Sequence, residues 1–329
     1  MKYKKTILIT SITIILILTL LSWITIEDII TTLLSISFYH LLLIFILYIF
    51  TYFFRALRFH ILLDSKIHAK DLFVIVCVHN MVNNIVPSRI GEFSYIYLVK
   101  KLHGIFAGES ITTLMISRVF DFIIISLLFF ISVKSICYLP DMVSEVIWFV
   151  ALFTVSVLLL LVGLLLFKNK LLSAIKKIID LLNLDRFNMV NYLSRLTKEI
   201  LKAFDAIRSK KIILLSFLYS FLIWLFAYLL SYVLLHGLGI YISIWQAVVI
   251  STLPLFSVLL PIQGVGGFGT LEGAWIIGLV SFGIPLKTAI ITGFGIHIIS
   301  LLYILIFGIY GLITISGIKG QKLIKLDGD

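Results

Sequence analysis

The sequence contains few charged residues, and this shortage excludes most kinds of soluble protein. Only 13% of its 329 residues are Asp, Glu, Lys or Arg, whereas about 25% is usual for a soluble domain. Hydrophobic residues make up 61% of the chain, and the mean hydropathy is +1.17. A single water-soluble core stops growing near roughly 250–300 residues and cannot bury this much apolar surface. The composition therefore predicts an all-α polytopic membrane protein.

The groups that hold metals or perform covalent catalysis are also scarce. The two cysteines, Cys77 and Cys137, have no metal-ligand spacing, and the histidines form no HxxxH or HxH pattern. No Ser-His-Asp triad or pair of catalytic carboxylates can be assembled from the sequence. We therefore expect no metal, no cofactor and no enzymatic activity. His79 and His297 lie in apolar stretches, where we expect hydrogen-bonded histidines inside a helix bundle; a proton relay is the alternative.

Long apolar stretches predict about six full transmembrane helices in a single domain that comprises residues 1–329. About 20 apolar residues are long enough to cross the hydrocarbon core of a bilayer. The first stretch is long for a signal peptide, and no small-residue cleavage site follows it. The predicted spans are about Ile7–Ile26, Phe38–Phe54, Ile111–Val133, Val146–Phe167, Ile212–Leu235 and Thr288–Ser316.

Two further apolar stretches, residues 72–99 and 244–285, are interrupted by proline and glycine. Proline removes a backbone donor and glycine weakens a helix, so each stretch should break near its middle. Broken backbone at membrane depth is tolerated only where it is buried in protein or lines a wet cavity. We therefore predict two re-entrant helical hairpins. The residues expected at the breaks are Pro87 and Gly91 in the first hairpin, and Pro261, Gly264, Gly266, Gly267 and Gly269 in the second.

The distribution of basic residues predicts how these helices are oriented. With the N-terminus in the cytoplasm, most Lys and Arg residues fall on the cytoplasmic side, including Arg55 and Arg58 after the second span. The C-terminus is then cytoplasmic too, and the two hairpins enter the membrane from opposite sides. Broken helices of opposite orientation in two halves are typical of an inverted-repeat transporter with a site near the midplane. We therefore predict an inverted repeat in the cell membrane.

The one long polar region, at about residues 168–211, predicts a cytoplasmic amphipathic helical segment. Its apolar residues recur every three or four positions, and its basic residues outnumber its acidic ones. Such a surface suits anionic lipid headgroups, and an ordinary solvated hairpin is the alternative. No interleaving of aromatic and basic residues indicates a nucleic-acid partner.

Ionisable residues at predicted membrane depth are the candidate site. An isolated charge there costs about 2.5–3.5 kcal/mol, so these side chains must pair or contact water. In a structural interpretation, residues three apart on one helix form salt bridges, such as Arg118 with Asp121. The five residues are Arg89, Glu92, Arg118, Asp121 and Glu272.

A functional interpretation assigns the same residues to ligand binding. Arg89, beside a broken helix, would attract an anionic group such as a phosphate. Glu272 would pair with Arg89 or Arg118 while the site is empty. Asn83, Asn84 and Gln263 would supply neutral hydrogen bonds to a polar headgroup.

Three blocks of these residues resemble the signature of the lysylphosphatidylglycerol synthase transmembrane region, a flippase-like family. The resemblance extends over roughly residues 5–318. It implies a lipid-translocating helix bundle with two re-entrant hairpins, and a homodimer. The blocks are Asn83-x-x-x-Pro87-x-Arg89-x-Gly91-Glu92, Ser117-Arg118-Val119-Phe120-Asp121 and Gly266-Gly267-x-Gly269-x-x-Glu272.

The sequence departs from the family pattern at four positions, which bear on the lipid it accepts. Ser88 stands where glycine is usual, Ser117 where glutamate is usual, Tyr95 where arginine is common, and Val265 where proline is usual. The altered charges at positions 95 and 117 put the usual lipid of the family in question. We expect no aminoacyl transfer, because no synthase domain follows the helices in this sequence.

The sequence thus predicts a flippase or scramblase with a polar site between two hairpins. Its substrate would be an anionic, aminoacylated or polyprenyl-phosphate-linked membrane lipid. One alternative is a non-transporting membrane partner subunit of a glycosyltransferase or lipid synthase. Another is a secondary transporter of ions or small solutes.

Overall fold

The computed structural model of the chain describes residues 19–86, 91–137, 139–140, 144–145, 147–156, 159, 209–257 and 265–326, with side chains to residue 316. The elements in these ranges are helices and the turns between them. Most of the predicted first span, half of the predicted fourth span and residues 168–208 lie outside the described residues. The predicted cytoplasmic amphipathic segment therefore stays a prediction.

Within the described residues, four helices are long and apolar enough to cross a membrane. Large apolar side chains cover their outer surfaces; Leu214 and Ile313, for example, are 68% and 67% exposed. Exposed apolar surface of this extent is typical of helices that face lipid. The four helices are α2 (Phe38–Leu62), α5 (Ala107–Ser135), α7 (Lys210–Gly237) and α10 (Leu286–Leu326, of which Leu286–Ser316 is the candidate span).

The remaining helices are shorter, and most of them lie where the sequence predicts broken segments. At 1.5 Å per residue, the 12-residue helices α4 and α9 are only about 18 Å long, too short to cross a hydrocarbon core of about 30 Å. A 3₁₀ turn at Val265–Gly267 precedes α9. The short helices are α1 (Ile26–Leu34), α3 (Ala69–Ile85), α4 (Glu92–His103), α6 (Ile147–Ser156), α8 (Ile244–Ser257) and α9 (Thr270–Ser281).

The order of long and short helices occurs twice along the chain. A long helix, two short helices and another long helix form the first set, α2 to α5, and the second set, α7 to α10. The contacts between the two sets are also equivalent, because α3 of the first set packs on α10 and α8 of the second set packs on α5. Helices α2 and α7, which begin the two sets, pack on each other. The first short helix of each pair therefore packs on the last long helix of the other set.

Glycines allow the closest approaches between these helices. A Cβ added at Gly91 would lie 2.3 Å from Asn83 Cα, so the start of α4 touches the last turn of α3. On α10, a Cβ at Gly308 would lie 2.3 Å from Met81 Sδ, and one at Gly311 would lie 3.0 Å from the Val74 carbonyl oxygen. Small residues at a contact let helix backbones approach, and here they bring α10 onto the first pair of short helices.

One predicted boundary is wrong in a way that matters for function. The sequence ends the second span near Phe54 and places Arg55 and Arg58 in the cytoplasm. In the structure α2 continues to Leu62, and the Arg58 side chain is 2% exposed. The helix continues because Arg58 has a buried partner, and Ile61 and Leu62 extend its apolar surface beyond the arginine.

Candidate functional site

A buried ion pair joins α2 to the middle of α5. Arg58 Nη1 donates to Asp121 Oδ1 at 2.5 Å and Arg58 Nη2 donates to Asp121 Oδ2 at 3.2 Å. Ser220 and Trp224 of α7 complete the arrangement: Arg58 Nη1 donates to Ser220 Oγ at 2.7 Å, and Trp224 Nε1 donates to Asp121 Oδ1 at 2.9 Å. Two parallel hydrogen bonds to one carboxylate fix the orientation of a guanidinium. The pair therefore ties together three long helices.

A second arginine, Arg55, lies one helical turn before Arg58 and has a neutral partner. Its Nη1 donates to Asn80 Oδ1 of α3 at 2.6 Å. No carboxylate of the described residues lies within salt-bridge distance of Arg55, although it interacts electrostatically with Asp121. Arg55 is therefore a half-buried cation without a paired anion in the described part of the bundle.

A third arginine, Arg118 of α5, pairs with the first residue of α4. Its Nη2 donates to Glu92 Oε1 at 3.0 Å, and the two side chains are 40% and 28% exposed. The predicted salt bridge between Arg118 and Asp121 is thus wrong, because Asp121 is oriented toward Arg58 while Arg118 is oriented toward the break before α4. We call Arg55, Arg58, Arg118, Glu92 and Asp121 the arginine cluster.

Several buried polar atoms beside the arginine cluster have no hydrogen-bond partner among the described residues. They include Asn80 Nδ2 and Asn83 Oδ1 on α3, and Arg58 Nε. Asn84, in contrast, donates to the Asn80 carbonyl oxygen at 2.8 Å. Unpartnered buried polar groups are costly, so their concentration at the end of α3 is a feature typical of a ligand site.

A second pair of ionisable residues lies at the start of α9. His297 Nδ1 is 2.6 Å from Glu272 Oε1, and His297 Nε2 is 2.9 Å from the Gly266 carbonyl oxygen. The Gly269 backbone N–H donates to Glu272 Oε2 at 2.7 Å. The predicted pairing of Glu272 with Arg118 is therefore wrong, since Glu272 is fully buried against α10 and accepts from its own helix start. We call Glu272 and His297 the Glu–His pair.

Glycines shape the backbone around the Glu–His pair. Gly266, Gly267 and Gly269 have φ angles of 65°, 76° and 85°. L-residues with side chains rarely adopt these angles, so glycine is needed for the tight path between the 3₁₀ turn and α9. This path directs the Gly266 carbonyl toward His297 and the Gly269 N–H toward Glu272.

A cavity of about 170 Å³ lies among the helices of the second set, α7 to α10, and α3 contributes one residue to its wall. Asn84 of α3, Ser251 of α8 and Trp275 of α9 contribute to its wall, as do His297 and Ser300 of α10. The 3₁₀ turn also packs on α3, so the two broken regions meet in the structure. The cavity therefore has a mixed polar and apolar lining where the two sets of helices join.

Five of the predicted site and hinge residues lie outside the described residues. The remaining predicted residues separate into two groups, the first around Asn83, Gly91, Glu92, Arg118 and Asp121, and the second around Glu272 with its three glycines. Asn84 faces the cavity that His297 also lines. The residues that stay untested are Pro87, Arg89, Pro261, Gln263 and Gly264.

Sequence reasoning missed Arg55, Arg58 and Asn80 as site residues, and for His297 it left a proton relay as the alternative to a hydrogen-bonded histidine of the bundle. The prediction that His297 is hydrogen-bonded within the bundle is confirmed. One feature of the sequence does relate the two pairs, since the glutamate and its basic partner are separated by nearly the same number of residues in both. Glu92 precedes Arg118 by 26 residues, and Glu272 precedes His297 by 25. No comparable spacing identifies Arg58 as the partner of Asp121.

Comparison with known proteins agrees with this arrangement. A family model described as the lysylphosphatidylglycerol synthase TM region matches residues 7–308. No curated protein and no solved structure matches the chain. The match includes all the described helices up to the middle of α10, with both pairs of short helices. The chain therefore belongs to the family of the lysylphosphatidylglycerol synthase transmembrane region, membrane proteins with a lipid-related function.

Proposed function

We propose that this chain moves a lipid with an anionic headgroup across the membrane, as a flippase or scramblase. The observation that carries the proposal is the surplus of positive charge in the arginine cluster. Its three arginines face two carboxylates, and both carboxylates are already paired, Asp121 with Arg58 and Glu92 with Arg118. Among the described residues, the hydrogen-bond partner of Arg55 is then the neutral Asn80 amide. A cation at membrane depth without an anion is costly, and a phosphate group would supply one.

The polar atoms near Arg55 support a headgroup as the missing partner. Asn80 Nδ2 is a donor and Asn83 Oδ1 an acceptor, and neither has a partner among the described residues. A headgroup that carries both a phosphate and hydroxyl or amine groups could satisfy both kinds of atom. An aprotic anion such as chloride or sulfate would leave the acceptor unpaired, so the arrangement favours a phosphate-bearing group that also has a donor, as a lipid headgroup does.

The repeated order of helices supports movement of that headgroup between two sides. In the proposal, the two pairs of short helices are re-entrant hairpins of an inverted repeat, and both chain termini lie in the cytoplasm. The cavity among α7 to α10, which Asn84 of α3 also lines, then provides part of a path for the headgroup near the midplane, as in transporters built from inverted repeats. The lipid tails would remain outside, against the apolar surfaces of the long helices.

The two alternative functions fit fewer of the observations. A non-transporting partner subunit would need buried charges that are paired and no internal cavity; three pairs are present, but Arg55 and the cavity do not fit. A secondary transporter of ions or small solutes fits less well with the family, whose description names a lipid. We also propose that the chain catalyses no reaction and forms a homodimer in the cell membrane, which crosslinking in native membranes would test.

Reconstituted proteoliposomes test the proposed function. Translocation of fluorescent phosphatidylglycerol and phosphatidylcholine is followed by chemical quenching of the label in the outer leaflet. Arg55→Gln should lower the translocation rate of the anionic lipid by about tenfold or more, the equivalent of a lost charge-assisted hydrogen bond. The translocation rate of the zwitterionic lipid should fall far less. Arg55→Lys should retain part of the activity because it keeps the charge.

Lys287→Gln is the matched control, since Lys287 is an exposed cation at the start of α10 with its side chain 59% exposed. It should leave both rates near those of the unmodified protein. The proposal fails if the unmodified protein moves neither lipid, or if Arg55→Gln slows both lipids equally.

A further inference from the structure

The Glu–His pair occupies the same place in its set of helices as the Glu92–Arg118 pair does in the other. Arg118 is the twelfth residue of α5, which begins at Ala107, and His297 is the twelfth residue of α10, which begins at Leu286. Each bonds to a glutamate in the first turn of the preceding short helix. The two pairs differ chemically, because a guanidinium stays protonated in proteins whereas an imidazole gains and loses a proton.

The hydrogen bonds of His297 define where its protons are. The Gly266 carbonyl can only accept, so the Nε2 nitrogen at 2.9 Å carries a proton and donates it. A carboxylate oxygen and the Nδ1 nitrogen only 2.6 Å apart need a second proton between them, on either atom. The pair with this shared proton has no net charge, which suits its burial, since Glu272 is 0% and His297 5% exposed.

Loss of the shared proton would change both the charge and the contacts of the pair. The proton leaves to water, and the Glu272 carboxylate then faces the Nδ1 lone pair across the same short distance. A net charge of minus one remains in the protein interior, where an unpaired charge is costly. Separation of α9 from α10, or entry of water into the adjacent cavity, relieves this cost.

No other described charge compensates the pair. The polar groups that α3, α7, α8 and α10 direct into the adjacent cavity are Asn84, Ser231, Ser251 and Ser300, all uncharged. The Phe268 ring packs on the imidazole with centroids 4.3 Å apart. The titratable residues on these helices that do not line the cavity include Asp71, Cys77 and His79 of α3, Tyr228, Tyr232 and His236 of α7, and Lys287 and Tyr303 of α10.

We propose that the Glu272–His297 pair is a proton-binding site, and that proton release opens the break before α9. The pair holds this break through three groups: the Gly266 carbonyl, the Gly269 N–H and the first turn of α9. We further propose that proton release is coupled to movement of the headgroup. This last step rests on the proposed lipid translocation. The Glu92–Arg118 pair has no such proton to release, because a guanidinium stays protonated in proteins.

Histidine NMR tests proton binding without any assay of transport. The protein is labelled with ¹⁵N-histidine and studied in lipid nanodiscs from pH 5 to 9, with His297→Gln to assign the signal. We expect both ring nitrogens protonated at low pH and only Nε2 protonated at high pH. Glu272→Gln should remove this behaviour, because its amide cannot hold the shared proton. A single neutral tautomer of His297 in the unmodified protein over the whole range overturns the proton site.

Cysteine labelling tests the opening. Ser251→Cys places a thiol in the cavity wall in a Cys137→Ser background, since Cys137 is exposed and Cys77 is buried. Maleimide should label this thiol at least about fivefold faster at pH 8 than at pH 6, a typical size for coupling between sites. Adding His297→Arg, which copies the Glu92–Arg118 pair, should remove the pH dependence. Equal labelling at both pH values, after correction for thiol ionisation with a free peptide, overturns the opening.

Lipid translocation tests the coupling and separates it from the proposed function. The ratio of rates at pH 6 and pH 8 should differ from unity by at least about fivefold in the unmodified protein, and should approach unity in His297→Arg. His236→Gln, a histidine outside the pair, should keep the ratio of the unmodified protein. An unchanged ratio in His297→Arg overturns the coupling. If no lipid moves at any pH, the proposed function fails, and the NMR and labelling results still decide the proton site and the opening.

Discussion

Arg58 and Asp121 lie 63 positions apart in sequence and form a two-point ion pair at the centre of the bundle. Asp121 is near the midpoint of the 29-residue helix α5, and Arg58 approaches it from α2. Because both side chains are buried, neither has water as an alternative partner. The pair therefore positions α2 and α5, and with them Arg55 and Arg118, which belong to the same two helices.

Removal of one member of this pair should be strongly destabilising. Arg58→Leu leaves a buried carboxylate without its partner, and we expect a loss of about 3–5 kcal/mol in the free energy of unfolding. The double variant Arg58→Leu with Asp121→Leu should recover much of this loss, since it removes both charges. Unfolding in mixed detergent and denaturant measures both effects.

The exposed pair Lys66–Glu109 is the control for that experiment. Its atoms are also 2.5 Å apart, but its side chains are 46% and 36% exposed. Lys66→Ala should therefore cost only about 0–1 kcal/mol. A loss at Arg58→Leu no larger than that at Lys66→Ala would show that the central pair does not hold the bundle together.

The contact between α3 and α4 depends on glycine at position 91. In Gly91→Ala the new methyl group meets the Asn83 backbone at 2.3 Å, so the two short helices must separate, at a cost of about 1–3 kcal/mol. Gly273→Ala is the matched change in α9, where a Cβ meets nothing within 4 Å, and it should be neutral or stabilising by up to about 1 kcal/mol. Thermal unfolding in detergent compares the two; equal stability of both variants would contradict the close approach.

The start of α1 should be sensitive to acid. The Asp28 carboxylate accepts hydrogen bonds from the Thr25 backbone N–H and from Lys287. These two contacts, of which the first has the larger effect, hold the pKa of Asp28 below its ordinary value of 3.8. A lowered pKa in the folded state means that the stabilisation is present above about pH 4 and is lost as the pH falls through the lowered value. Hydrogen exchange should therefore show weaker protection of α1 amides at low pH.

Asp28→Asn should abolish this acid response, because an amide does not titrate. Glu27→Gln, in the same first turn but outside the capping box, should keep it. An identical acid response in Asp28→Asn would assign the effect to another group.

The broken helices could be predicted from the sequence because their causes are local. Glycine and proline interrupt an apolar run wherever the run folds, and the short helices α3, α4, α8 and α9 follow from that. The long helices α2, α5, α7 and α10 likewise follow from apolar length alone. These elements agree with the prediction to within a few residues, apart from the C-terminal ends of α2 and α10.

The partners of the buried charges could not be predicted, because they depend on how helices pack. Asp121 has Arg118 three residues away on its own helix, yet it pairs with Arg58 from α2. A charge after an apolar run usually marks the end of a membrane span, so the sequence predicts that the second span ends before Arg58. In the structure the helix continues, because Arg58 is buried against Asp121. Glu272 similarly has an arginine available in principle and pairs with a histidine instead.

The central claim is that the arginine cluster receives the headgroup of an anionic lipid. An experimental density map of the protein in nanodiscs that contain phosphatidylglycerol tests it most directly. We predict headgroup density within hydrogen-bond distance of Arg55, with contacts to Asn80 or Asn83, and its loss in Arg55→Gln. Lipid density confined to the outer surfaces of the long helices, with Arg55 bonded only to protein, would contradict the account.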